Sequence, residues 1–143
     1  MTINLLRPAA GCDSLFALSQ RQKRFTTTLD GQVVPLISTK RKPTRSDELK
    51  KRGSVYWIIK RVIQARQFIL ESEIVETKTE GSRCFIYLDP QLIRTNPVPH
   101  KPFQGWRYFE PHKAPKDIGE YLGEEDSNID PEMEKELREL GLL

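Results

Sequence analysis

The feature that most constrains the fold is a long apolar segment at the centre of the chain, SVYWIIKRVIQARQFILESEIVE, divided by the charged pair Lys60 and Arg61. Its apolar residues recur near helical spacing, which would allow one buried helix. However, the segment is rich in β-branched and aromatic residues, and polar side chains interrupt the stripe that a helix would need. We therefore predict two strands, at about 54–60 and 62–76, joined by a tight turn.

Turn and capping signals predict shorter elements before and after this hairpin. The predicted elements are a strand at 2–6, a helix at about 14–24, strands over QVVPLIST and CFIYLDP, and a short helix capped by Ser46 and ended by Gly53. Six of the ten prolines lie between Pro90 and Pro115. They predict irregular or polyproline-like structure there and exclude a long helix or a central strand.

The end of the chain differs from the body in charge. Residues 1–116 hold 21 Lys and Arg against 10 Asp and Glu, whereas residues 117–143 hold 2 basic and 10 acidic residues. The segment IDPEMEKELRELG has an N-cap at Asp130, proline at N1 and glycine after its end, which predicts a helix. We expect one globular domain at 1–116, followed by an acidic linker and C-terminal helix at 117–143.

Strands dominate the middle of the chain, and the helices are short. This order predicts an α+β fold built on a small curved antiparallel sheet or a partly closed β-barrel, with short flanking helices and a C-terminal helix. No stretch is long and apolar enough to span a membrane, and the first residues lack the features of a secretory signal. We therefore expect a cytoplasmic protein that does not engage a membrane, with Cys12 and Cys84 reduced and inert.

Catalytic motifs are absent from the sequence. It contains no glycine-rich phosphate loop, no paired CxxC, no HExxH and no GxSxG. His100 and His112 have no spaced carboxylate or cysteine ligands beside them, which is typical of solvated histidines. We assign no catalytic residue, no metal ligand and no cofactor.

Basic, amide and aromatic side chains remain as binding candidates. The cluster Lys40, Arg41, Lys42 and Arg45 is of the kind that neutralises phosphates, although a solubilising loop has the same composition. Gln64 and Arg66 should project from one face of the predicted second strand, where they could contact bases or pair across strands.

The segment PFQGWRYF combines flat rings with hydrogen-bonding groups. Gln104, Trp106, Arg107 and Tyr108 could hold an unstacked base, since aromatic faces interleaved with arginine do so in single-stranded nucleic-acid binding. Alternatively, the aromatic residues fold down as a lid over the core, because a soluble protein seldom exposes several large rings together. Both arrangements are compatible if Trp106 is buried while Arg107 and Tyr108 face outward.

Three segments carry a family resemblance: GSVYWIIK, IQARQ and PFQGWRY. On these, over most of residues 2–116, the chain resembles an uncharacterised family of short alphaproteobacterial proteins classed as a domain of unknown function. Where that family leads us to expect glycine after Lys60, this chain has Arg61. The opening RGSVYWIIK is also similar to PUA-like barrels, and this resemblance implies a fold whose members often bind RNA or modified bases.

Taken together, these patterns favour a non-enzymatic module that binds RNA or a nucleotide-like ligand. The alternatives are an adaptor whose acidic helix at 130–141 docks on a protein partner, and a small enzyme acting on a nucleotide-like ligand.

Overall fold

The predicted central hairpin forms. In the computed structural model, which describes residues 2–123, Ser54–Ile59 and Val62–Thr77 are antiparallel strands, and no helix lies between them. In chain order the elements are β1 (Asn4–Pro8), α1 (Leu15–Gln22), β2 (Thr26–Leu29), β3 (Gln32–Thr39), α2 (Ser46–Leu49), β4 (Ser54–Ile59), β5 (Val62–Thr77), β6 (Gly81–Leu88), β7 (Ile93–Pro99), β8 (Arg107–Phe109), the 3₁₀ turn Pro111–Lys113 and β9 (Asp117–Glu120).

The nine strands of the described region form one open sheet, with the order β2-β3-β6-β5-β4-β1-β8. The prediction of a purely antiparallel sheet was wrong, because β1 pairs with β4 in parallel. Some 45 residues, including both helices, separate these two strands, and a crossover of that length permits parallel pairing. The strands at the two ends of the order, β2 and β8, do not pair, so residues 2–123 form no closed barrel.

The long strand β5 organises the sheet. One of its edges pairs with β4, while the other pairs first with β7 and then with β6. The pairing of β4 with β5 skips one residue, because Ile58 is opposite Ile63 and Trp57 is opposite Ala65. Gln64 is therefore the extra residue of a β-bulge, a feature that bends a strand.

Two strands, β7 and β8, form in the proline-rich region, where the sequence predicted irregular structure. The prolines are compatible with β7 because β9 pairs only with Ile93, Arg94 and Thr95. Pro97 and Pro99 lie beyond β9, where one edge of β7 has no neighbouring strand and a missing N–H breaks no ladder.

The folded region continues past residue 116. Asp117–Glu120, which the sequence assigned to a linker, form β9, and Tyr121 is buried in the core. The predicted C-terminal helix at 130–141 lies outside the described residues.

Both faces of the sheet are covered near its centre. All six residues of β4 are buried, with alternate side chains packing on opposite faces. The larger cluster contains Leu5, Trp57 and Ala65 and is covered by Leu15 and Leu18 of α1. A smaller cluster on the other face contains Leu6, Tyr56, Ile58, Ile63 and Phe109. Strand alternation in β1 therefore directs Leu5 and Arg7 towards the face that α1 covers.

Candidate anion-binding site

A cavity of about 420 Å³ opens between β1, the end of β3, β6 and the segment before β8. Five cationic residues line it, Arg7, Lys40, Arg41, Arg83 and Arg107. Within residues 2–123 no aspartate or glutamate lines it, and the lining is completed by Ser38, Thr39, Gln104, Gly105 and Trp106. A concave surface of one charge sign concentrates ligands of the opposite sign. We name it the basic cavity.

Arg7 is the cation of this cavity whose buried charge is balanced least by hydrogen bonds or opposite charges. Its Nη1 atom is buried and has no hydrogen-bond partner in the part of the chain that the structure describes. Burial, and then the charges of Arg21 and Arg83, lower the pKa of the Arg7 guanidinium. A buried polar atom without a partner costs free energy, and more so when it carries charge. An anion in the basic cavity would supply the missing acceptor.

Arg83 is held in place by the neighbouring strand. Its Nε donates to Ser38 Oγ at 2.9 Å, and its Nη2 donates to the Ser38 carbonyl at 3.2 Å. Its remaining nitrogen, Nη1, lies 3.5 Å from a carboxylate oxygen of Glu80, a side chain that is 62% exposed. An exposed ion pair of that length contributes little. Arg83 is thus preorganised, with most of its charge still available to a ligand.

Arg41 and Trp106 close the cavity by contacting each other. The Arg41 Nη2 donates to the Trp106 carbonyl at 2.6 Å, and the indole Nε1 donates to the Arg41 carbonyl at 3.0 Å. The guanidinium also lies 3.9 Å from the centre of the indole ring. The indole is buried beneath this guanidinium, so it forms part of the wall and offers no free face for stacking. Of the two arrangements weighed for Trp106, the structure has the buried one.

Arg107 and Tyr108 differ in whether their side chains could contact a ligand. Arg107 is exposed and lies over the Phe103 ring at 4.2 Å. Tyr108 packs edge-on against Trp106, and its hydroxyl accepts from the Arg45 backbone N–H at 3.0 Å. Arg107 can therefore turn towards a ligand, whereas Tyr108 joins β8 to the N-terminus of α2.

Of the ten residues predicted to bind nucleic acid, five lie together in the basic cavity: Lys40, Arg41, Gln104, Trp106 and Arg107. The others, Lys42, Arg45, Gln64, Arg66 and Tyr108, lie outside its lining, and four of them have internal partners, those of Tyr108 being given above. Arg45 makes a bidentate ion pair with Glu48, at 2.6 and 2.7 Å. Arg66 does the same with Asp117, at 2.7 Å for each contact. The bulged Gln64 donates to the Ile59 carbonyl at 2.9 Å.

Sequence reasoning missed two of the five cations, Arg7 in β1 and Arg83 in β6. The predicted first strand ended at residue 6, so Arg7 was not recognised as an inward-facing position. Continued alternation from Ile3 and Leu5 was the signal that could have found it. An arginine at an apolar-facing position of a strand is unusual enough to indicate a site.

Other kinds of site find no support in the described residues. No group of three or more His, Cys, Asp or Glu side chains in residues 2–123 is placed to hold a metal ion. None of the helices found there has the length and apolar character needed to cross a membrane. Both cysteines are free, and burial raises the pKa of each thiol, which makes nucleophilic attack less favourable.

Comparison with known proteins identifies a family and gives no further relative. Neither the curated proteins nor the solved structures contain a match to this chain. A family model described as "Protein of unknown function (DUF1489)" matches residues 5–143 and so includes the acidic C-terminal segment as well as the sheet. The chain belongs to the DUF1489 family.

Proposed function

We propose that this protein is a non-enzymatic module that binds phosphate groups of RNA or of a nucleotide-like ligand in the basic cavity. The observation that carries the proposal is the buried Arg7 Nη1: among residues 2–123 it has no hydrogen-bond partner, and those residues line its cavity with five cations and no carboxylate. Guanidinium groups bind phosphate oxygens through short, charge-assisted hydrogen bonds. Phosphate is therefore the anion that this lining fits best.

The proposed contacts differ from those predicted by sequence. The proposed phosphate contacts come from Arg7, Lys40, Arg83 and Arg107, whereas the fifth cation, Arg41, is held against Trp106. Stacking on Trp106 plays no part, because the Arg41 guanidinium covers that ring. The resemblance to PUA-like barrels adds no support, since the described sheet is open.

Lysines 40 and 42 provide a matched test of the cavity. Both are exposed, but only Lys40 lines the cavity. We expect Lys40→Ala to weaken binding of a labelled single-stranded RNA about tenfold, because it removes a charge-assisted phosphate contact. Lys42→Ala removes the same charge two residues away and should change the affinity by no more than about twofold. Fluorescence anisotropy with the full chain gives both affinities.

The same titration at several salt concentrations tests the phosphate contact itself. Each phosphate neutralised on a single strand contributes about 0.7 to the slope of log affinity against log salt. Lys40→Ala should lower that slope, and Lys42→Ala should not. Equal effects of the two variants would mean that diffuse charge attracts the RNA, and an absence of binding at low salt would refute the proposed function.

A further inference from the structure

A second cavity lies beside the basic cavity and shares two lining residues with it. This apolar cavity has a volume of about 340 Å³, and Arg7 and Ser38 line both cavities. Its walls include Leu18, Leu36 and Trp57. Small-molecule sites typically combine apolar walls of this kind with a few fixed polar groups. The Arg7 guanidinium, whose Nη1 is buried, therefore lies where the basic cavity meets a mostly apolar one that Arg21 also lines.

Phe25 lines the apolar cavity with an uncovered ring. Its side chain is 57% exposed, and the ring makes no aromatic or cation contact among residues 2–123. Its backbone is nevertheless fixed, because its N–H donates to the Gln22 carbonyl at 3.2 Å and its carbonyl accepts from the Leu36 N–H at 3.0 Å. A large ring held in this way offers a flat apolar face to a ligand.

We infer that the two cavities form one site for a single nucleotide. Its phosphate binds at Arg7 and Arg83 in the basic cavity, and its base enters the apolar cavity and stacks against Phe25. This inference rests on the proposed function and specifies its ligand. A planar base with an attached phosphate matches an apolar compartment that adjoins a cationic one.

Hydrogen-bonding groups in the apolar cavity favour a base over an alkyl chain. Ser38 Oγ accepts from Arg83 Nε, which leaves its own O–H free to donate. Gln22 exchanges two hydrogen bonds with Gln67, at 2.8 and 3.0 Å, and keeps one amide N–H and one carbonyl lone pair. Base edges can use such groups, whereas an alkyl chain would leave them unpaired.

Calorimetric titration of the full chain with four probes tests the inference. The probes are adenosine 5′-monophosphate, ribose 5-phosphate, inorganic phosphate and octyl phosphate. We expect the mononucleotide to bind about tenfold more tightly than ribose 5-phosphate, since stacking of one base accounts for a factor of that order. Phe25→Ala should abolish this difference and leave the affinity for ribose 5-phosphate unchanged. Val33→Ala, at a residue 62% exposed that lines neither cavity, should alter neither value.

The outcomes separate this inference from the proposed function. If Phe25→Ala leaves the difference intact, or if octyl phosphate binds more tightly than the mononucleotide, the nucleotide site is wrong while phosphate binding at the arginines stands. If neither the phosphates nor RNA bind, both fail. The nucleotide could be free or could be the 5′ end of an RNA strand, and a 5′-phosphorylated tetranucleotide distinguishes the two. Tighter binding than that of the free mononucleotide assigns the site to a strand end, and weaker binding assigns it to a free nucleotide.

Discussion

At the scale of single residues, the turn between β4 and β5 contains an unfavourable backbone conformation. Lys60 and Arg61 have φ angles of 52° and 64°, in the left-handed region that glycine adopts most readily. We expect Arg61→Gly to raise the free energy of unfolding by about 1 kcal/mol, because it removes the steric cost of a side chain in that conformation. Urea denaturation of the full chain measures the change.

The control uses a second exposed cation in a turn. Lys78, between β5 and β6, is absent from the residues with positive φ. Lys78→Gly should therefore lower the free energy of unfolding, because glycine increases the entropy of the unfolded chain without relieving strain. A loss of stability in Arg61→Gly as well would show that the turn residues are not strained.

Residue identity predicts environment least well for buried polar groups. Strand alternation directs Gln67 to the face away from Arg66, but it gives no indication that the Gln67 amide is fully buried. Gln67 Oε1 accepts from Trp57 Nε1 at 3.1 Å, and its Nε2 donates to the Asp89 carbonyl at 2.8 Å. These partners are distant in sequence, and no local pattern encodes them. Their contacts give a structural reason for the YW and IQARQ motifs.

At the scale of elements, β9 depends on one ion pair. All four of its residues are exposed, and its ladder partner is β7. Asp117 accepts two hydrogen bonds from Arg66, and these bonds lower the pKa of its carboxyl. The pair therefore stabilises the fold fully above the ordinary aspartate pKa, and this contribution is lost as the pH falls through the lowered one.

We expect Asp117→Asn to reduce protection of the β7 and β9 amides from hydrogen exchange at neutral pH. The free energy of unfolding of the variant should also vary less than that of the wild type between about pH 5 and about pH 2. Asp13→Asn, at an exposed carboxylate with no ion pair in the described region, is the control. Parallel pH profiles for Asp117→Asn and the wild type would contradict this role for Arg66.

The elements that sequence predicted best are those with local signals. The hairpin of β4 and β5 follows from β-branched residues on both sides of a charged pair, and α1 follows from its apolar face, although the residue that caps it is Ser14 and not the neighbouring Asp13 that the sequence favoured. The parallel pairing of β1 with β4 and the strand β7 were missed, because both depend on which strand lies alongside. Proline is excluded from a strand only where both edges of that strand are hydrogen-bonded to neighbours. Whether an edge is paired depends on the tertiary fold and is not encoded locally.

At the scale of the whole molecule, residues from distant parts of the strand order assemble the basic cavity. Arg7, Arg41, Arg83 and Trp106 are spread over a hundred residues, and each comes from a different segment. Composition indicated a basic body, and local motifs indicated Arg41 and Trp106. The convergence of these four residues depends on the tertiary fold. β1 and β8 lie together at one end of the strand order, and the segment after β3 reaches them through the contact of Arg41 with Trp106.

The arrangement that would bind an anion lowers the stability of the ligand-free protein. A substitution of Arg7 tests this trade-off. Its buried Nη1 has no partner, and the charges of Arg21 and Arg83 act on it. We expect Arg7→Met, which keeps a long apolar side chain, to raise the free energy of unfolding of the ligand-free protein by about 1–2 kcal/mol. The same change should remove the stabilisation by inorganic phosphate, which for the wild type is about 1.4 kcal/mol at ten times Kd.

Thermal unfolding at increasing phosphate concentrations therefore distinguishes an arginine that binds an anion from one that supports the fold. The wild type should begin less stable than Arg7→Met and approach it as phosphate is added, because binding offsets the cost of the unpaired guanidinium. Arg94→Met, on the exposed side of β7, controls for the loss of one positive charge and should respond to phosphate as the wild type does. If Arg7→Met is less stable than the wild type without phosphate, Arg7 supports the fold. Its missing partner would then be no sign of a ligand.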